Sequence, residues 1–138
     1  MDLKEALQLE HYKFVMDRQR YFTELARDAF ASYSKLFSGL AAGAVALVSA
    51  KEKLQLHPEI LRYLLVVILL LATFLGTVTS AQIAFCLTRW RHFRLQESKI
   101  NPGSPPIHSS WWLFETLYIF AIIVAVGAAW FVVGKLPV

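Results

Sequence analysis

The four histidines, His11, His57, His92 and His108, carry the widest chemistry in this sequence, and their spacing removes most of it. No two stand four residues apart on one helical face, and none neighbours the single cysteine, Cys86, so a zinc site has no ligand set. None lies inside an apolar stretch, which argues against intramembrane haem ligation. There is no phosphate-binding glycine loop, and no grouping of serine, histidine and carboxylate that would make a nucleophile. The chain is therefore expected to have no catalytic residue, no cofactor and no metal. Cys86 cannot form an intrachain disulfide and reads as a small buried hydrophobe.

The remaining polar residues are informative because of where they stand. Thr73, Thr77 and Ser80 share one helical face inside an apolar stretch, with Gln82 further round. A ring of such faces would line water, and these four are the candidate pore-facing residues. The competing use of membrane hydroxyls is hydrogen bonding back to the carbonyl four residues earlier or across to a neighbouring helix. Gln82 is the sharper signal, since an amide in hydrocarbon needs a partner or water. Glu115 lies about one turn inside another apolar stretch. Lys35 and Arg89 are expected at a similar depth, where a structural ion pair would account for it, with gating as the alternative. Together with Arg91 and Arg94 these form a set of cytoplasmic interface charges. Arg89, Trp90, Arg91, Phe93, Arg94 and Lys99 mix cations with rings, as nucleic-acid-binding surfaces do. The same mixture is ordinary beside a membrane span, where it snorkels and meets anionic lipid, so a nucleic-acid partner is not expected.

Small residues form a third pattern. Gly39 and Gly43 make a GxxxG pair, and Ala42, Ala46 and Ala50 continue a ridge beside them. Lipid tails are as apolar as leucine, so membrane helices associate by close packing, which small residues permit. This ridge is the expected oligomer interface, the competing use being packing of spans within one chain.

The elements that must position these residues follow from hydropathy. The chain has 138 residues, 57% of them hydrophobic and 17% charged, with a mean hydropathy of +0.48. No charged side chain occurs from Tyr63 to Leu87 or from Thr116 to Gly134. Uncharged apolar runs longer than about 18 residues read as membrane spans. A third span is expected over residues 30–50, with Lys35 snorkelling to the interface. The fold class is all-α: three transmembrane helices, about 30–50, 63–87 and 111–134, preceded by a long amphipathic cytoplasmic helix over residues 1–34. Residues 35–138 form the membrane domain. Asp2 and Glu5 have the spacing of a capping box, Pro58 stands where the second helix would start, and Asn101-Pro102-Gly103-Ser104-Pro105-Pro106 would stop it.

Within residues 1–34, Tyr12, Val15, Phe22, Ala26, Ala29 and Tyr33 recur at spacings of three and four, interrupted by Gln19. Lys13 with Asp17, and Arg20 with Glu24, form opposite-charge pairs four apart. A helix laced with both signs suits packing against other helices in water better than lying on a membrane surface. Its apolar stripe is the expected collar between copies, or the surface for a cytoplasmic protein partner. Basic residues gather in residues 1–35 and 89–99, leaving Lys51, Lys53, Arg62 and Lys135 for the other side. The N-terminus is accordingly expected in the cytoplasm and the C-terminus outside. The first thirty residues are too polar for a secretory signal, so the chain is expected to keep its N-terminus.

A cytoplasmic helix ahead of small-residue spans resembles, in layout only, the compact membrane effectors of bacterial defence operons, and on that analogy a bacterial inner membrane is the expected location. The expected function is a self-associating pore-forming or membrane-perturbing effector gated by its cytoplasmic helices. The rival is a non-catalytic anchor subunit that recruits a soluble partner to the bilayer.

Overall fold

Between Leu3 and Ala50 the sequence holds no proline, and its only glycines, Gly39 and Gly43, stand singly in an otherwise helix-favouring stretch. Nothing stops a helix there, and none stops. The computed structural model describes residues 3–53, 55, 57–101, 103 and 112–135, the last range without the side chains at 112 and 113. It contains three helices, α1 (Leu3–Ala50), α2 (Pro58–Ile100) and α3 (Trp112–Lys135). At 1.5 Å per residue they run about 72, 64 and 36 Å. All three are long and apolar enough to cross a membrane, with the most apolar 18-residue windows averaging 1.3, 2.4 and 2.4 in hydropathy.

The amphipathic segment and the first span form one helix, as the lack of any breaker between them allows: both belong to the 48-residue α1, and no separate amphipathic helix precedes it among the described residues. A hydrocarbon core of about 30 Å takes up less than half of that length. In a bilayer the rest of α1 would project beyond it, as would part of α2.

Proline begins α2 where the sequence places it, and His57, extended at φ −60° and ψ 137°, is its N-cap. Ahead of it Gln55 turns the chain with φ 47° and donates its N–H to the Glu52 carbonyl at 3.3 Å. The helix ends at Asn101, whose N–H donates to the Glu97 carbonyl at 2.8 Å. Asp2, Pro102, Ser104 to Pro106, His108 and Trp111 lie outside the described residues, as does the side chain of Trp112.

α2 is the centre of the bundle and packs against both neighbours, while α1 and α3 meet only over a short stretch. The Phe30 and Tyr118 rings stack there at 4.4 Å. From Leu65 to Glu97 the inward residues of α2 fall alternately four and three apart, through Leu69, Ala72, Gly76, Thr79, Ile83 and Cys86. That is the period of a coiled-coil seam. The core is Ala26, Tyr33, Ile83, Cys86 and Ile122, one or two contributions from each helix. Toward the far end of the bundle α1 and α3 diverge, leaving an apolar groove of about 380 Å³ floored by Leu65, Leu69 and Ala72.

Candidate functional site

The polar residues of the bundle occupy four levels. At the charged end, Gln19 and Glu97 are the two buried polar side chains among the described residues, 7% and 3% exposed. Gln19 Nε2 donates to Glu97 Oε2 at 2.7 Å, and the Arg94 guanidinium pairs with the same oxygen. A buried carboxylate is tolerable only when paired and hydrogen-bonded, and here an amide from α1 and a cation from α2 supply both. Gln19 stood out in the sequence as the polar break in an apolar stripe. Its partner does not, because Glu97 lies in the charged stretch beyond Arg89, where one more polar residue marks no inward face.

One turn further in, Glu115 borders a cavity of about 10 Å³ with Thr23 and Ala26 of α1 and Cys86, Leu87 and Trp90 of α2. Its Oε2 is enclosed and accepts no hydrogen bond. The expected ion pair is not formed among the described residues: Lys35 is exposed, and the Arg89 guanidinium lies over the Phe85 ring at 5.3 Å. Both cations sit on faces turned away from the junction that α3 enters. A cavity of that size is at the lower limit for one water molecule.

Mid-bundle, Gly76 lets α2 approach α3. A Cβ there would stand 3.0 Å from Ile122 Cγ2 and 3.3 Å from Val126 Cγ2, with the Tyr33 hydroxyl at 3.5 Å. The sequence shows Gly76 only as a small residue on the face of Thr73, Thr77 and Ser80, and the approach to α3 is not legible there. At the fourth level the Thr73 hydroxyl donates to the Leu69 carbonyl at 2.8 Å and accepts from Trp130 Nε1 at 3.0 Å. Thr77 donates to the Thr73 carbonyl at 2.8 Å. Ser80 is half-buried and Gln82 is exposed.

No protein family matches this chain, and no curated protein or solved structure is significantly similar to it. Its function rests on geometry.

The apolar stripe of α1 faces α2 of the same chain. Val15, Ala26 and Tyr33 are 0, 1 and 4% exposed, and Tyr12 and Phe22 are half-buried. Phe93, one of the rings offered for base stacking, stacks instead on Phe22 at 5.9 Å, and Trp90 is half-buried. Arg91 is exposed. The small-residue ridge is turned the other way: Gly39 and Gly43 have nothing within 4 Å of a built Cβ, Ala42 and Ala46 are exposed, and Ala50 is half-buried. The described residues contain no group of three or more potential metal ligands.

Proposed function

We propose that this small helical membrane protein acts without catalysis, by associating with copies of itself so that the assembly perturbs or opens the bilayer. The observation that carries this reading is the contrast between its glycines. Gly76 is consumed by the chain's own packing, whereas Gly39 and Gly43 face outward with no neighbour. Gly127 and Gly134 are equally open, but neither has a small residue four positions away. Paired glycines on a lipid-facing ridge are what close helix association in a membrane uses. Gln82 adds support: it is exposed at a level where lipid surrounds the helix, and it makes no hydrogen bond among the described residues. A second chain or a water-filled space would satisfy it.

The stripe offered both as a collar between copies and as a surface for a soluble partner is occupied by α2, so neither the collar nor the anchor reading draws support from it. Mass measurement of the purified chain in lipid nanodiscs tests the proposal. A discrete assembly is expected, together with leakage of liposome contents that weakens in Thr77→Val and Gln82→Leu variants. Gly39→Leu combined with Gly43→Leu should return the chain to a monomer without unfolding it. An assembly of unchanged mass would remove the ridge from the contact, and a wild-type monomer would end the proposal.

A further inference from the structure

The half of α1 from Leu3 to Asp28 carries ten charged residues, so it lies in water, yet one of its faces is apolar and uncovered. Leu3, Leu7, Phe14 and Tyr21 are 75, 59, 47 and 51% exposed. Leu7, Phe14 and Tyr21 are spaced by sevens, which keeps them in one row with a drift of only about 20° per step. Aligned large apolar side chains left in water mark a contact surface.

An acidic row borders that face on one side and a single cation, Arg18, on the other. Glu10, Asp17 and Glu24 each follow a member of the apolar row by three residues, on one side. His11 and Arg18 follow by four, on the other. All five are exposed, Arg18 lying over the Phe14 ring at 5.2 Å and Glu24 accepting from Arg20 at 2.9 Å. Beyond Tyr21 the spacing of sevens meets the charged Asp28 and Lys35, and the face turns apolar again further on. Gly39 stands eighteen residues after Tyr21, about five whole turns, so it returns to the same face, with Gly43 beside it. The face thus changes from large side chains to small ones as α1 passes from charged to apolar sequence. In water, association is driven by burying large apolar groups. In lipid that drive vanishes and close backbone approach replaces it.

We infer that the row Leu7, Phe14 and Tyr21 docks against the same row of a second copy, α1 parallel to α1, extending the membrane contact into water. The inference rests on the self-association reading. Copies inserted alike hold each residue at the same depth, so each member of the row meets its own counterpart across a two-fold axis. The same axis brings the acidic row of one copy to the side carrying Arg18 of the other. An antiparallel pair would oppose acid to acid and set the aromatic row against lipid.

Oxidative crosslinking in liposomes tests this, in a Cys86→Ala chain carrying one further substitution at a time. Phe14→Cys, Tyr21→Cys and Gly43→Cys should each give covalent dimers, at least tenfold faster than Lys13→Cys, which lies off the row. Asp17→Lys and Arg18→Glu should each weaken assembly alone, and mixing the two variants should restore it, a rescue that misfolding cannot imitate. Crosslinking at Gly43→Cys with none at Phe14→Cys or Tyr21→Cys would overturn the inference and leave membrane self-association standing. Absence of all three crosslinks from a monomeric wild-type chain would end both. Equal rates on and off the row, or a row protected by a different protein, would also overturn it.

Discussion

Gly76 and the pair Gly39 and Gly43 share a residue type and differ in what a side chain would meet. At Gly76 the obstacles are γ-methyls of Ile122 and Val126, which are stiff about χ1 and cannot swing aside. Gly76→Leu should therefore lower thermal stability in detergent by about 1–3 kcal/mol or more, as overpacking does. The same substitution at Gly39 should leave the monomer's melting temperature nearly unchanged. Glu97 sets up a second comparison. Glu97→Ala strands the Gln19 amide, and an unsatisfied buried polar group costs about 1–3 kcal/mol. Gln19→Leu combined with Glu97→Leu should recover most of that loss, because apolar packing often replaces a buried ion network without penalty. Failure of the double variant to recover would show that Arg94 depends on the carboxylate for its position. Gln19 was visible in advance because it interrupted a periodic stripe. Glu97 was not, and Glu115 was assigned an ion pair that does not form. Sequence fixes depth along a helix axis far better than azimuth between helices, and a salt bridge needs both.

At the scale of elements, boundaries were legible wherever a residue forbids helix. Pro58 opens α2 and Asn101 closes it, as their backbone preferences dictate. The join within α1 is legible for the converse reason, since no such residue separates the amphipathic segment from the first span. A chain that leaves water for lipid changes its side chains, but its backbone hydrogen bonds need not break. Spin labels at Arg20 and Val45 should accordingly show one narrow distance distribution near 38 Å, the length of 25 residues at about 1.5 Å each. A broad or shorter distribution would indicate a hinge at the boundary. The seam of α2 was hidden for a related reason: in a run where nearly every residue is apolar, hydropathy carries no period, and only the small residues Ala72, Gly76 and Cys86 hint at one.

At the scale of the whole molecule, α2 is held on two sides while α1 and α3 part company toward their far ends. Ala44 and Ala128 border the groove between them, whereas Ala26 is 1% exposed in the core. Ala44→Leu with Ala128→Leu should be absorbed by the groove, leaving the melting temperature unchanged or higher. Ala26→Leu should lower stability by about 1–3 kcal/mol. Equal losses would mean that the groove closes in the bilayer. This arrangement was not readable from the sequence, since three apolar helices can pack in any order until side-chain shape selects one.

The unbroken α1 also makes the molecule a shaft. With no proline or flexible joint between Leu3 and Ala50, its two ends keep a fixed angular phase. Because Val15, Ala26 and Tyr33 seat one face of α1 on α2, a force applied at the aqueous end would shift or tilt the two helices together rather than turn α1 alone. A copy docked on Phe14 would thereby act on the ridge of Gly39 and Gly43 through a pair of packed helices rather than through a loose tether.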